Sequence, residues 1–520
     1  MPGGLQQDRS ARSIYEHIRW HLPAGGPGLL DAGMTLPDEE ELDTSIRWAS
    51  GAQDGVLSHH SMPGEDTAQA DEVFDLIFEA LSRQPPADAF DRLDDRLRTS
   101  SALGLVDTLL ERIVRSPLPP AGVYELGRRL ATSSRHREPV KIGIALLGVV
   151  QAADGDAQEL LATLGRHEEF TLYSAVALAA VADDPESAVF ELAKLVDGWG
   201  RIHLVERLRD TQRTEIRSWI LREGFRNSVM DEYLACIAAT TGGLAEALAT
   251  EQPDDQLLDA ACEIISALIA GGPAEDIDDY HDAPRAVELL VDHLERRAAR
   301  PAHLLAVTDI QRHLTRDDDR WPAREQQGWT PQHRERLLAA CERIAARPVW
   351  RELVARGLAA EDPVEFDQAD QVARRLGIDT FAAHWHRVLA DPIGGNWWAV
   401  MQQVTDETID QVVEHAQRSL PLDTIASGPA DGLGLGPEFA THSALDFILQ
   451  DLDRFPGRGW PLIAAGLRSP VVRNRNMALR ALEAWPRAAW PADAQALLRS
   501  AAEREPDAGT REHFERLLGG

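Results

Sequence analysis

Amphipathic segments recur along this chain at a spacing of about thirty residues, starting near Glu138 and continuing to Cys262, and a similar unit returns near Val471. Glu138-Pro139-Val140 opens the run KIGIALLGVV, which is apolar nearly all round and is therefore expected to be buried. Glu168 and Glu169 open the next helix, whose predicted stripe is Leu172, Ala175, Val176 and Ala179, at i, i+3, i+4 and i+7. The runs GRIHLVERL from Gly200, DEYLACIAAT from Asp231 and DAACEIISALI from Asp259 follow the same plan, each beside a second helix such as ESAVFELAKLV or TEIRSWILREG. Short breaks, Asp183-Asp184-Pro185 and Gly242-Gly243 among them, separate the helices. One such pair cannot cover its own apolar face, so neighbours must stack. The pattern predicts an all-α solenoid of stacked antiparallel helix pairs.

Outside the repeats the pattern changes. The first seventy residues carry PAGGPG and MPGED, the acidic run Asp38-Glu39-Glu40-Glu41, and helix signals at Ser13–Leu22 and Leu42–Ala49. They read as an irregular N-terminal cap. A strong helix follows, with Phe74, Ile77, Phe78 and Leu81 in register. Charge and loops dominate from Gly271 to Gly328, and IASGPADGLGLGPE from Ile425 interrupts the helices most clearly. The expected division is a cap over 1–70, helical repeats over 71–270, a middle helical region over 271–424, a Gly-rich linker over 425–440 and a C-terminal helical module over 441–520.

In SPVVRNRNMALRALEAW, Ser469 is placed to cap and Pro470 suits the first turn, with Val471, Ala478, Ala481, Leu482 and Trp485 on one face. This unit resembles the second half of a HEAT repeat, and HEAT- and ARM-like repeats imply a fold more than a function.

Composition narrows the partners. The net charge of −32 argues against a nucleic-acid backbone or an anionic membrane and favours a partner with a basic surface. Lys141 and Lys194 are the two lysines, so arginine carries the positive charge, a bias read as that of a GC-rich bacterial genome. Cys236, Cys262 and Cys341 lie in apolar helical runs and read as reduced core residues of a cytoplasmic protein. The chain shows neither a secretory leader nor an apolar run long enough to span a membrane, so neither secretion nor insertion is expected.

Candidate chemistry is sparse. GLGLG, from Gly432 to Gly436, lacks the strand and helix that flank a phosphate loop and reads as a loop between modules. Asp276, Asp278, Asp279, His281 and Asp282 lack EF-hand spacing and read as a solvated loop. His59 and His60 are adjacent, so they cannot easily face one metal from a helix, and no metal or cofactor site is expected. Two sets remain as a candidate binding surface. In GWGRIHLVERL, Trp199, His203 and Glu206 share a face opposite Leu204, Val205 and Leu208, with Arg201 beside them. In the RNRN run, Asn474 falls in line with Val471 and Ala478 and should be held by hydrogen bonds, which leaves Arg473, Arg475 and Asn476 for an anion or an acidic group. Trp397 and Trp398 read as core. No P-loop, nucleophile elbow or H-E-x-x-H occurs, so catalytic residues are not assigned.

Taken together, SIYEHI, LPDEEELDTSIRWASGAQDGV, HREPVKIGIALLG, GWGRIHLVERL and SPVVRNRNMAL resemble a group of bacterial proteins that carry the name limonene hydroxylase. The resemblance implies oxygenation of an apolar monoterpene, a reaction that needs flavin, haem or non-haem iron. The leading expectation is a protein-binding scaffold or regulator without cofactor. The alternatives are that oxygenase, or an acidic inhibitory or immunity-type protein that masks a basic target.

Overall fold

The structure is a computed structural model and describes residues 12–41, 48–60, 67–150 and 155–519. It is 68% helix. The described residues hold no strand, and one isolated bridge joins Gly432 to Val471. The all-α stack of antiparallel helices is as the periodicity predicts.

Two compact units divide between Arg347 and Pro348. The expected boundaries at 270/271 and 424/425 therefore fall inside units. In the first unit one layer runs Thr67–Ala80, Ala102–Arg115, Arg137–Val149, Glu168–Val181, Gly198–Glu206, Glu232–Thr240, Asp255–Ala270, Pro301–Thr315 and Pro331–Ala345, each helix packed on the next. Helices such as Pro120–Ser133, Gly155–Leu164 and Pro185–Ala193 pack against it from the alternate positions. The breaks between them are caps. Asp184 accepts from the Ser187 amide at 3.2 Å ahead of Pro185, and Asp254 accepts from the Leu257 amide at 2.8 Å. One close helix contact depends on glycines. A Cβ on Gly143 would stand 2.8 Å from the Gly127 carbonyl oxygen and 2.6 Å from the Ala131 nitrogen, so two helices meet backbone to backbone.

Helix Arg137–Val149 is buried almost all round, as expected, and Lys141 is buried with it. Helix Glu168–Val181 corrects the predicted stripe. Of the predicted residues Ala175 is core, together with Phe170, Tyr173, Ala177, Leu178 and Val181, whereas Val176 and Ala179 are exposed and Leu172 is half-buried. The helix is apolar on most sides, so several stripes fit its sequence and only its neighbours select one.

The N-terminal residues do not close the end of the stack; they run along it. Ser13 and Glu16 form a capping box that starts helix Ile14–Trp20. The Ile14 amide donates to Ser134 at 3.0 Å and the Gly28 amide to Leu195 at 2.8 Å, while Arg166 donates to the Gly28 carbonyl at 2.6 Å. Most of the helix signal at Leu42–Ala49 and the MPGED stretch lie outside the described residues.

In the second unit Asn396–Gln403, Ala440–Leu449, Val472–Ala484 and Ala508–Gly519 stack in that order, with Trp460–Gly466 against the middle two. Trp397, Leu445, Ile448, Leu479, Leu482 and Phe514 belong to its core. Trp398 is exposed, so one of the adjacent tryptophans is core and the other is not. The Gly-rich segment is folded against this unit: the Gly432 amide donates to Pro470 at 3.2 Å, and the Val472 amide donates back at 3.0 Å.

Candidate functional site

One set of polar groups of the first unit converges under helix Ala52–His60. This helix lies across the stack because Gly55 has no side chain. A Cβ there would stand 2.2 Å from the Trp199 ring, so only glycine lets the two helices close. At one end the Gly51 amide donates to Glu169 at 3.1 Å, and Asp54 accepts from the Tyr173 hydroxyl at 3.1 Å. At the other end His59 Nε2 stands 3.1 Å from Glu206 Oε1, and His60 Nε2 stands 2.7 Å from the Tyr233 hydroxyl.

Beneath Asp54 sits a buried lysine. Lys141 Nζ lies 2.8 Å from Asp54, 2.8 Å from Glu138 and 2.7 Å from Glu169. Arg137 joins Glu169 at 3.6 Å to Asp38 at 3.0 Å and Glu39 at 2.7 Å, which accounts for the acidic run near the N-terminus. Burial alone would lower the Lys141 pKa, but Glu138, Glu169 and Asp54 outweigh it and hold the ammonium well above its ordinary value. Burial likewise favours a neutral Glu169, yet Lys141 and Arg137 keep its pKa down at about 2.

Glu168, next in sequence, behaves oppositely. Burial and the nearby Asp197 push its pKa up to about 7, against the pull of the Trp199 and Gly200 amides it faces at the start of helix Gly198–Glu206. A carboxylate whose folded pKa exceeds its unfolded value of about 4.5 binds the extra proton in the folded state, so its stability contribution is full below pH 4.5 and is lost as pH rises through 7. Glu168→Gln is expected to raise stability at pH 8 by about 1–3 kcal/mol, less than the full linkage because the group is partly hydrated, and to change it little at pH 5. Urea unfolding at the two pH values measures this; an equal effect at both would refute it.

His203 is brought to His59. Their ring centroids are 5.3 Å apart, and Trp199 and Tyr233 pack around His59 at 5.2 and 5.4 Å. His59 Nδ1 stands 2.9 Å from the Gly55 carbonyl oxygen. One ligating atom from each of His59, His203 and Glu206 lies within 4.8 Å of the others, the one such group among the described residues. The Glu206 hydrogen bond raises the His59 pKa against the opposing effect of burial, and burial pushes His203 down to about 4.

Trp199, His203 and Glu206 do share one face, opposite the buried Leu204, Val205 and Leu208. That face is not exposed, because helix Ala52–His60 covers it: Trp199 is 6% and His203 5% exposed. Glu206 is half-buried, and Arg201 is tied to the Val196 and Arg226 carbonyls, each at 3.0 Å. In the RNRN run Asn474 and Arg475 are buried and Asn476 is half-buried, whereas Arg473 is exposed as expected. Arg475 is fully buried and meets Glu505 at 2.7 and 2.6 Å, so it is not available to an external anion. Asn474 is held by His442 and Ser469, Arg473 pairs with Asp446, and Asn476 donates to Thr510 at 3.0 Å. Helix Val472–Ala484 lies between Ala440–Leu449 and Ala508–Gly519, so Asn474 and Arg475 meet protein while Arg473 and Arg480 remain exposed.

The acidic cluster at Asp276–Asp282 is occupied from within. Arg324, itself 2% exposed, reaches Asp278 at 2.6 and 2.8 Å, and Arg320 joins the same carboxylate at 2.9 Å. The sequence reading missed Lys141, Glu138, Glu169, Asp54 and Tyr233. The available signal was a lysine inside an apolar helix, a position that requires buried carboxylates.

No helix among the described residues is long and apolar enough to cross a membrane. No family model matches the chain, and no curated protein matches it. Among solved structures the chain is similar to an engineered protein from the Northeast Structural Genomics Consortium, at 17% identity over 86% of this chain and 98% of that one, with a TM-score of 0.23. The assignment to stacked antiparallel helices accordingly rests on the helices of this chain alone.

Proposed function

We propose that the protein is a helical-repeat scaffold that recruits a protein partner through that partner's basic surface. The observation that carries this reading is the net charge of −32 on a fold whose arginines are largely engaged with its own carboxylates, as at Arg213–Asp184, Arg222–Asp254 and Arg458–Asp410. The excess charge is acidic, which favours approach of a cationic surface over that of nucleic acid or an anionic membrane. An inhibitory protein that masks a basic target is the same reading with a narrower partner.

The expected result is association with a basic protein whose on-rate falls as ionic strength rises, with no retention of DNA or RNA. Surface-captured full-length protein, probed with each purified candidate at low and high salt, measures it. Salt-sensitive retention of nucleic acid, or an on-rate indifferent to salt, would overturn it.

One observation favours a second reading, an oxygenase of the kind the limonene hydroxylase resemblance implies. Two imidazoles and a carboxylate are a donor set used by non-haem iron oxygenases. Limonene turnover by the iron(II)-loaded protein under oxygen with a two-electron reductant supplied, which returns one oxygen atom as the alcohol and the other as water and is absent in Glu206→Gln, tests that reading separately.

A further inference from the structure

We infer that His59, His203 and Glu206 bind one first-row divalent transition-metal ion, which joins the N-terminal helix Ala52–His60 to the repeat helix Gly198–Glu206. The inference goes beyond the scaffold reading and holds whether or not the chain is an oxygenase.

Four features of the geometry support it. First, His203 and Glu206 stand at i and i+3 on one helix, so a single rigid element presents an imidazole and a carboxylate on the same side. Second, the third donor comes from 147 residues away and is already placed, with His59 Nε2 at 3.1 Å from Glu206 Oε1. Bonds of ~2.0–2.2 Å to one tetrahedral ion put donor atoms roughly 3.4 Å apart, so this pair is at ligand spacing and the outer limit of 4.8 Å for the set closes with a small rotation of the rings.

Third, the other nitrogen of His59 is oriented as in metal sites. Nδ1 lies 2.9 Å from the Gly55 carbonyl oxygen, so Nδ1–H donates there and Nε2 is the nitrogen that faces Glu206, where a bound ion would take the place of the proton Nε2 donates to the carboxylate. His60 is excluded from the set because its Nε2 is engaged with the Tyr233 hydroxyl. Fourth, the surroundings suit a held but reachable ion. The rings of Trp199 and Tyr233 pack around His59, while the Glu206 side chain is 33% and the His59 side chain 18% exposed.

The donor chemistry selects the ion class. Two imidazoles exclude calcium and magnesium, which take oxygen ligands, and the absence of thiolate from the set disfavours copper(I). Iron(II), cobalt(II) and zinc(II) accept two nitrogens and one oxygen, and three protein ligands leave further positions for water or a small anion.

The test uses untagged full-length protein, stripped with a chelator and titrated with cobalt(II) alone and with zinc(II) alone. Visible cobalt absorption and calorimetry give the stoichiometry and affinity. One ion per chain is expected, with a rise in Tm on loading. His203→Gln and Glu206→Gln should weaken binding by more than the ~10–100-fold that loss of an outer partner produces, and should abolish the Tm rise. His60→Gln, one residue from a ligand, should bind as the parent does. Glu206→Gln keeps the size of a partly exposed side chain, and far-UV circular dichroism of each variant confirms that the helices are intact. Absence of saturable binding, or binding unchanged in Glu206→Gln, would show that the three side chains are only an ion pair and a ring stack.

Discussion

Replacing Lys141 by Met is expected to destabilise the first unit by about 3–5 kcal/mol, enough to unfold a marginal protein. The ammonium lies within 2.8 Å of Asp54, Glu138 and Glu169 and is nearly closed to water. Its removal leaves three buried carboxylates facing one another with Arg137, 3.6 Å from Glu169, as the one cation still beside them, so most of their burial goes uncompensated. The other lysine is the control. Lys194 pairs with Glu191 at 2.8 Å with both side chains hydrated, and Lys194→Met should change stability by ~0–1 kcal/mol.

The pH dependence should also reverse. In the parent, Glu169 has a folded pKa of about 2 against an ordinary 4.5, so its contribution is present above pH 4.5 and is lost as acid approaches pH 2. Without Lys141, burial and the repulsion among the three carboxylates outweigh the remaining Arg137 and raise that pKa, so acid should partly restore the variant over the range in which it weakens the parent. Urea unfolding from pH 3 to 7, with hydrogen exchange at Arg137–Val149 assigning the loss to the first unit, measures both effects. A Lys141→Met protein as stable as the Lys194→Met protein would refute the assigned role.

The second large effect is expected in the other unit. Arg475 and Glu505 are both fully enclosed, with bonds of 2.7 and 2.6 Å between them and a third from Arg475 to the Ser469 carbonyl at 2.8 Å. Arg475→Met alone leaves Glu505 charged and buried and should cost about 3–5 kcal/mol. Arg475→Met combined with Glu505→Leu removes both charges and should recover most of that loss, because the pair repays its own desolvation poorly. Chemical unfolding of the two single variants and the double variant closes a double-mutant cycle. Additive losses would show that the two residues do not act as a pair.

Both residues illustrate how far the chain could be read in advance. Lys141 was visible as an anomaly, a charged residue inside KIGIALLGVV, yet its partners come from Asp54, Glu138 and Glu169 and spacing names only the nearest of them. Arg475 sits in a polar run whose helical phase suggested exposure. It is buried because Ala508–Gly519 packs on that flank, and nothing local announces a neighbour thirty residues away. Helix Glu168–Val181 failed for the complementary reason: apolar on most sides, it offers several stripes, and its phase comes from its neighbours. The histidine centre divided in the same way. His203 and Glu206 were legible as one helical face, and His59 and His60 as a separate pair. Their meeting depends on Gly55 passing close to Trp199.

The chain by itself determined the class of fold, since helical periodicity, capping residues and Gly or Pro breaks are local and each short helix pair must bury its apolar side on the next. It also determined the acidic character, because net charge is a sum over residues and needs no coordinates. Tertiary structure decided which polar residues are interior. The N-terminal segment crosses several successive repeats and turns an apparent binding face into a covered one. Burial of a charge depends on what packs against it, and in a stacked fold that neighbour can lie more than a hundred residues away, as Glu206 does from His59.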